Sequence, residues 1–177
     1  MRASKSTIPV LIRPMLESDW DTVRAIYLEG ITTGQATFET TAPRDWQSWS
    51  AGRLAVGRSV AIAADDSGHP LGWTALSPVS TRAVYAGVAE LTIYVAAAAR
   101  GRGVGGALLQ QLVVDSEAAG IWTLQGSLFP ENAGSRALHK TAGFREVGRR
   151  ERIAQLDGVW RDTILVERRS SLAKFGG

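Results

Sequence analysis

Apolar residues along this chain fall into short runs whose spacing changes from one segment to the next. Pro9 to Arg13 is a first extended run. Val23, Ile26, Tyr27 and Gly30-Ile31 then recur at helical spacing, behind a possible capping box at Ser18 and Asp21. Thr32 to Thr41 is polar and β-branched and reads as a loop or short extended piece. Pro43 suits the first turn of a second helix carrying Trp46, Trp49 and Leu54. Ser59 to Ala64 and Leu71 to Leu76 read as an antiparallel hairpin turning at Asp66-Ser67-Gly68. Ser77 to Gly87 is a loop, and Val88 to Val95 is the next strand.

The period then shifts. Leu108, Leu109, Leu112 and Val113 mark a helix over 103–119 that ends near Gly120. Ile121 to Leu128 is a strand. Asn132 can cap a helix running to about Ala142, with Gly143 as its stop. Phe144 to Leu156 and Val159 to Glu167 form a hairpin through Asp157-Gly158, and Arg168 to Gly177 reads as a frayed tail. The order β α α β β β α β α β β predicts an α/β (α+β) fold: a mixed sheet of about seven strands flanked by about four helices. The unit 88–95, 103–119 and 121–128 has the β-α-β form that a parallel pair requires. No repeat or linker divides the 177 residues, which predicts a single domain with a core over about 10–168.

Composition narrows the chemistry. The chain has no cysteine, which removes a disulfide framework, a thiolate metal site and a cysteine nucleophile. With only two histidines, His69 and His139, no metal site is expected. No apolar run reaches the ~20 residues of a membrane span, and Met1 to Val10 lacks a signal-peptide core. Neither a membrane nor a secretory route is expected, and the cytoplasm is the default location. The formal charge of +3 comes mostly from arginine, but charges alternate in sign along the chain, so no nucleic-acid partner is expected.

Candidate chemistry concentrates at Arg100-Gly101-Arg102-Gly103-Val104-Gly105-Gly106, between a strand and a helix. Glycines let the backbone approach a ligand, helix N-terminal amides attract anions, and the two arginines add positive charge. The segment is a phosphate or pyrophosphate cradle in physical terms, or a turn whose glycines only relieve crowding. It fails the P-loop template, because Ala107-Leu108 stands where Lys-Ser/Thr is required. Gly101, Gly103 and Gly106 match G-x-G-x-x-G. That dinucleotide motif, however, begins directly at a strand end and ends the next strand in an acidic residue, whereas Ala96 to Arg100 intervenes here and Leu128-Phe129-Pro130 follows.

Arg100, Gly103 and Gly105 resemble the coenzyme A loop of the GNAT superfamily of N-acetyltransferases, Arg/Gln-x-x-Gly-x-Gly/Ala. Asn132 to Phe144 resembles its second coenzyme motif. Ala36-Thr37-Phe38-Glu39, Arg82-Ala83-Val84-Tyr85 and Ala89 to Val95 resemble the phosphinothricin N-acetyltransferase branch, so the similarity covers about residues 10 to 168. The resemblance implies acetyl-CoA as co-substrate, no metal, a small-molecule amine as acceptor and a homodimer.

It also implies site residues. Ile93, Tyr94 and Val95 would hold the pantetheine arm, loop 100–106 the pyrophosphate, and Asn132 and Ser135 the coenzyme from the next helix. Glu90 would be the general base, against the alternative of a carboxylate on a solvated strand face. His139 would be the general acid or a second proton-handling group, against the alternative of a histidine packed beside the coenzyme. Tyr94 either donates a proton or is a packed strand aromatic. Thr37, Phe38, Arg82 and Tyr85 would meet the acceptor, with Arg82 able to hold a carboxylate. Ser80 departs from the branch, which has a second basic residue there, so the identity of the amine stays open. Acetylation of a protein N-terminus or lysine, and a coenzyme-binding sensor without turnover, are the rival functions.

Overall fold

The computed structural model describes residues 6–64 and 68–172. Seven strands form one sheet in the order β1-β2-β3-β4-β5-β7-β6. They are β1 (Val10–Pro14), β2 (Ser59–Ala63), β3 (Pro70–Pro78), β4 (Val88–Val95), β5 (Thr123–Leu128), β6 (Arg145–Leu156) and β7 (Val159–Arg169). The helices are α1 (Trp20–Thr32), α2 (Trp46–Ser50), α3 (Val104–Ala118) and α4 (Ala133–Thr141). All pairings are antiparallel except β4 with β5. The expected element order and the parallel pair are therefore both present. No helix among the described residues is long and apolar enough to cross a membrane.

Strand alternation separates two cores. Trp73, Ala75 and Tyr94 project from β3 and β4 onto α1, where Val23, Ile26, Tyr27 and Gly30 form one stripe, and onto Trp49 of α2. Leu76, Ala89 and Leu91 project to the other face, against Leu109 and Leu112 of α3. Leu108, Leu109 and Leu112 are almost wholly buried, each stabilising the fold by ~1.5–3 kcal/mol relative to exposure. Gly30 permits the close seat of β4 on α1, since a Cβ there would fall within van der Waals overlap of the Tyr94 ring.

Several expected boundaries move. A short 3-10 turn over Glu17–Asp19 precedes α1, and Asp19, rather than the Ser18/Asp21 box, organises it. Its carboxylate accepts from the Leu16 N–H at 2.8 Å and pairs bidentately with Arg13 at 2.7 Å. The guanidinium holds the Asp19 pKa below its ordinary value despite burial. Helix α2 is only five residues long, capped by Asp45, whose Oδ1 accepts from Ser48 N at 2.8 Å. Leu54 lies beyond it and donates its N–H to the Leu76 carbonyl. The hairpin of β2 and β3 is present, and its expected turn at Asp66-Ser67 lies outside the described residues. The C-terminal segment is not frayed at Arg168: β7 runs to Arg169, Arg168 pairs with Glu117 at 3.0 Å, and Ser170 N donates to the Trp122 carbonyl.

Trp20, Trp49 and Trp73 are core residues, whereas Trp122 and Trp160 are exposed. Strand β6 is exposed at almost every position, as its alternating charges suggest. The parallel pairing of β4 and β5 spans only Val88↔Thr123 to Glu90↔Gln125, although both strands continue beyond it. That parting of neighbouring strands opens the interior of the sheet.

Candidate active site

The join between β4 and α3 builds one wall of a cavity of about 630 Å³. Gly103 stands at the N-cap of α3 with φ 89°, a left-handed conformation that a side chain would strain. Among the described residues no side chain caps this helix, which leaves its first-turn amides to bind an anion. Gly106 lines the cavity, and a Cβ there would meet nothing within 4 Å. Arg100, Gly101 and Gly105 share this wall. Gly134, Ser135 and Leu138 of α4 face them, and Ile93 to Val95 close the side. These features fit the pyrophosphate and arm of a coenzyme.

Two residues of the glycine loop point elsewhere. Arg102 turns its Nε to the Ser6 carbonyl at 3.3 Å, and its own carbonyl accepts from Ile8 N. Val104 is fully buried with Leu108, Ala61 and Ala99. Both are placed to hold the loop rather than to line the cavity.

A second cavity, of about 280 Å³, occupies the gap between the parting strands. It shares Gln35, Ala36, Ile93, Tyr94, Asn132 and Ser135 with the first. Asn132 holds the partition: Oδ1 accepts from Ser135 N, and Nδ2 donates to the Gln35 carbonyl, both at 3.0 Å. Phe38 meets Phe129 edge-on with ring centroids 4.9 Å apart, so Thr37 and Phe38 line this second cavity.

Glu90 and His139 both reach the second cavity. Glu90 is half-buried, and its Oε2 accepts from Gln125 Nε2 at 3.2 Å. His139 is almost wholly buried. Its Nδ1 lies 2.8 Å from the Ser135 carbonyl, an acceptor only, so Nδ1 carries the hydrogen. Nε2 then carries the lone pair, and among the described residues it has no partner. Burial pushes the His139 pKa below its ordinary value, so the ring is neutral near pH 7. Tyr94 stacks on Trp73 at 5.0 Å, and burial drives its phenol pKa strongly upward, so it stays protonated.

Arg82 and Tyr85 are not brought into this cavity. Both are exposed on the loop before β4, with the Arg82 guanidinium over the Tyr85 ring at 5.5 Å. Of the lining residues not expected from sequence, two bring polar groups that matter here. Arg53 follows α2, at a spacing of four from Trp49, and that spacing is the one local signal it carries. Thr163 of β7 brings a buried hydroxyl with no partner among the described residues, and nothing in its local sequence marks it.

Comparison with known proteins accords with this geometry. The model of the Acetyltransferase (GNAT) family matches residues 20–144, spanning α1, the glycine loop and the end of α4. The chain belongs to the GNAT acetyltransferase family. It is an acetyl-CoA-dependent acyltransferase with the mixed seven-stranded sheet of that family.

Among the relatives of this GNAT protein is the phosphinothricin N-acetyltransferase of Alcaligenes faecalis. It is 30% identical over 160 residues, covering 89% of this chain and 81% of the relative. The L-methionine sulfoximine/L-methionine sulfone acetyltransferase of Pseudomonas paraeruginosa is 28% identical, over 88% of this chain and 92% of its own length. Solved structures that superimpose well include a Sinorhizobium meliloti phosphinothricin acetyltransferase in complex with acetyl-CoA. Its TM-score is 0.78 at 27% identity, with 92% of this chain and 89% of that one covered. A ribosomal-protein-alanine N-acetyltransferase from Brucella melitensis reaches a TM-score of 0.81 at 28% identity, over 90% and 99% of the two chains.

Proposed function

We propose that this enzyme acetylates the amino group of a small amino acid or amino-acid analogue by direct transfer from acetyl-CoA. The observation that carries this reading is that Glu90 and His139, whose Nε2 has no partner among the described residues, line one small cavity that shares six wall residues with the coenzyme cavity. The names of relatives that act on phosphinothricin or on methionine sulfoximine and sulfone support the substrate class.

Acetyl-CoA supplies an activated acyl thioester. The protein holds its pyrophosphate on Arg100 and the free amides of loop 101–106, and its arm along Ile93 to Val95, where β4 no longer pairs with β5. An amine reaches the enzyme mostly protonated, and two protons must leave its nitrogen in all. The Glu90 carboxylate takes the first, directly or through a water. The new C–N bond forms as the C–S bond breaks. Nε2 of His139 takes the second proton and passes it to the departing sulfur. Neutral His139 thus starts as a proton acceptor and becomes the acid only within the cycle. Orienting both substrates against one another can contribute up to about 7–11 kcal/mol.

The same reading makes the chain one acetyltransferase unit that works in the cytoplasm as a homodimer. Exposed Val147, Ile153, Val159 and Trp160 on the β6–β7 hairpin support pairing of two copies. Light scattering on an eluting peak tests it, and a monomer mass rejects it.

The deciding test is thiol release from acetyl-CoA with a panel of amino acids, methionine sulfone, methionine sulfoximine, phosphinothricin, polyamines and short peptides. Turnover with the amino-acid group is expected. The similarity to the Brucella alanine N-acetyltransferase favours a second reading, transfer to a peptide N-terminus. Activity on peptides alone would select that reading.

A further inference from the structure

Among the described residues that line the acceptor cavity, Arg53 is the one arginine or lysine. We propose that Arg53 holds the carboxylate of the acceptor, so that the cavity selects amino acids over the corresponding amines without that group. This inference rests on the small-amino-acid reading above.

The first support is a guanidinium that lacks a carboxylate partner. Arg13 pairs with Asp19, Arg161 with Glu131 and Arg168 with Glu117, whereas Arg24, Arg58 and Arg102 are half-buried without an ion pair among the described residues but lie outside this cavity. Among the described residues Arg53 forms no ion pair. Its Nη1 donates to Thr92 Oγ1 at 3.2 Å and to Ser77 Oγ at 3.4 Å, both neutral acceptors. A guanidinium has five N–H donors, so most of the fork remains available. The group also lies over the Trp49 ring, 5.1 Å from its centroid. Stacking and two hydroxyls fix the plane of the fork before a ligand arrives, which lowers the entropy lost on binding. Burial lowers the Arg53 pKa, the sign of a charge removed from water. Glu39, in the same cavity wall, lies outside ion-pair range of it.

The second support is position. Thr92 stands two residues after Glu90 on β4, so the two side chains share a face with about 7 Å between their Cα atoms. Ser77, the other Arg53 contact, is the direct cross-strand partner of Glu90. An α-amino acid separates its nitrogen from its carboxylate by about 3 Å. A hydrogen bond of about 2.8 Å at each end lets one such molecule span from Glu90 to Arg53. The carboxylate would then sit on Arg53 while the amine meets the base.

The test compares acceptor pairs that differ only in the carboxylate, such as methionine sulfone and 3-(methylsulfonyl)propan-1-amine. Wild type should prefer the acid. Arg53→Met should raise the acid's KM by about 10- to 100-fold, the range of lost charge-assisted hydrogen bonds. It should leave the amine's kcat/KM and the acetyl-CoA KM nearly unchanged, and Arg53→Lys should restore part of the preference. Arg82→Ala should keep it. An equal loss on acid and amine in Arg53→Met would mark a structural role and overturn the proposal. So would loss of the preference in Arg82→Ala, or a wild type indifferent to the carboxylate, which needs no variant to fold. A wild type that acetylates neither compound but acetylates peptides would instead sink the amino-acid reading itself, and this inference with it.

Discussion

The two cavities share a partition yet differ in what they are made of. The larger one offers backbone: the uncapped start of α3, Gly101 to Gly106, and the first turns of α4. The smaller offers side chains drawn from distant parts of the chain: Phe38, Arg53, Glu90, His139 and Thr163. Backbone amides bind what every acyl donor of one kind has in common, its phosphates. On the proposed function, side chains would decide which amine is bound and how it loses its protons. The difference implies that changes in one cavity should alter one substrate's kinetics and spare the other's.

The largest expected effect is on the side-chain cavity. Glu90→Gln should lower kcat by about 10²–10⁴-fold while acetyl-CoA affinity, read by calorimetry, stays within error. Full turnover in that variant would remove Glu90 as the base. The matching change in the backbone cavity is Gly106→Asp, which puts a negative charge into open space at a helix start. It should raise the acetyl-CoA KM by at least about 10-fold with the acceptor KM unmoved. A parallel rise in both KM values would contradict the division of labour.

Asn132 is the exception that sharpens the contrast, because it belongs to both walls. Asn132→Ala removes a helix cap and the bond to the Gln35 carbonyl. A stability loss of about 1 kcal/mol is expected by thermal melt, with both KM values rising together. The smallest effect concerns pH. The folded state holds His139 below its ordinary pKa of 6.5, so the unfolded chain takes up its proton first. Stability from this residue is complete above pH 6.5 and declines as pH falls below it, by at most about 1.4 kcal/mol per pH unit. His139→Asn should flatten that slope in a series of melts from pH 7.5 to 5.5, and an unchanged slope would place the titration elsewhere.

The same contrast explains what the sequence reveals. A backbone site is contiguous, so Arg100, Gly103 and Gly105 stand together and announce it, and the strand–helix period places them correctly. Glu90 and His139 are legible only through the motifs that carry them. Thr163 is not legible at all and Arg53 only through its spacing from Trp49, because their places in the cavity arise from the parting of β4 and β5 and from the return of β7 beside it. Arg82 shows the converse: a basic residue in a suggestive stretch that the fold leaves stacked on Tyr85 in solvent. Among the elements, α2 is shorter than its tryptophans suggest, since Trp46 and Trp49 serve as packing anchors rather than as one stripe of a long helix. Thr123 begins β5 two residues late because Ile121 N and Trp122 N are claimed by the Ser116 and Gly87 carbonyls.

The aromatic core has an optical consequence. Trp46, Trp49, Trp73 and Tyr94 form a continuous series of rings with successive centroids 5.3, 5.5 and 5.0 Å apart. Arg58 lies over the Trp46 ring at one end and Arg53 over the next ring, Trp49, while the other end reaches both cavities through Tyr94. Excitation passes from Tyr94 to Trp73 and among the close-packed indoles, so quenching at Trp73 or Trp49 is reported by the whole series. Trp122 and Trp160, 39% and 54% exposed, add a solvent-shifted emission at longer wavelength that is insensitive to the interior. The blue edge of the protein's own fluorescence is thus a built-in gauge of occupancy, readable without a dye and without turnover.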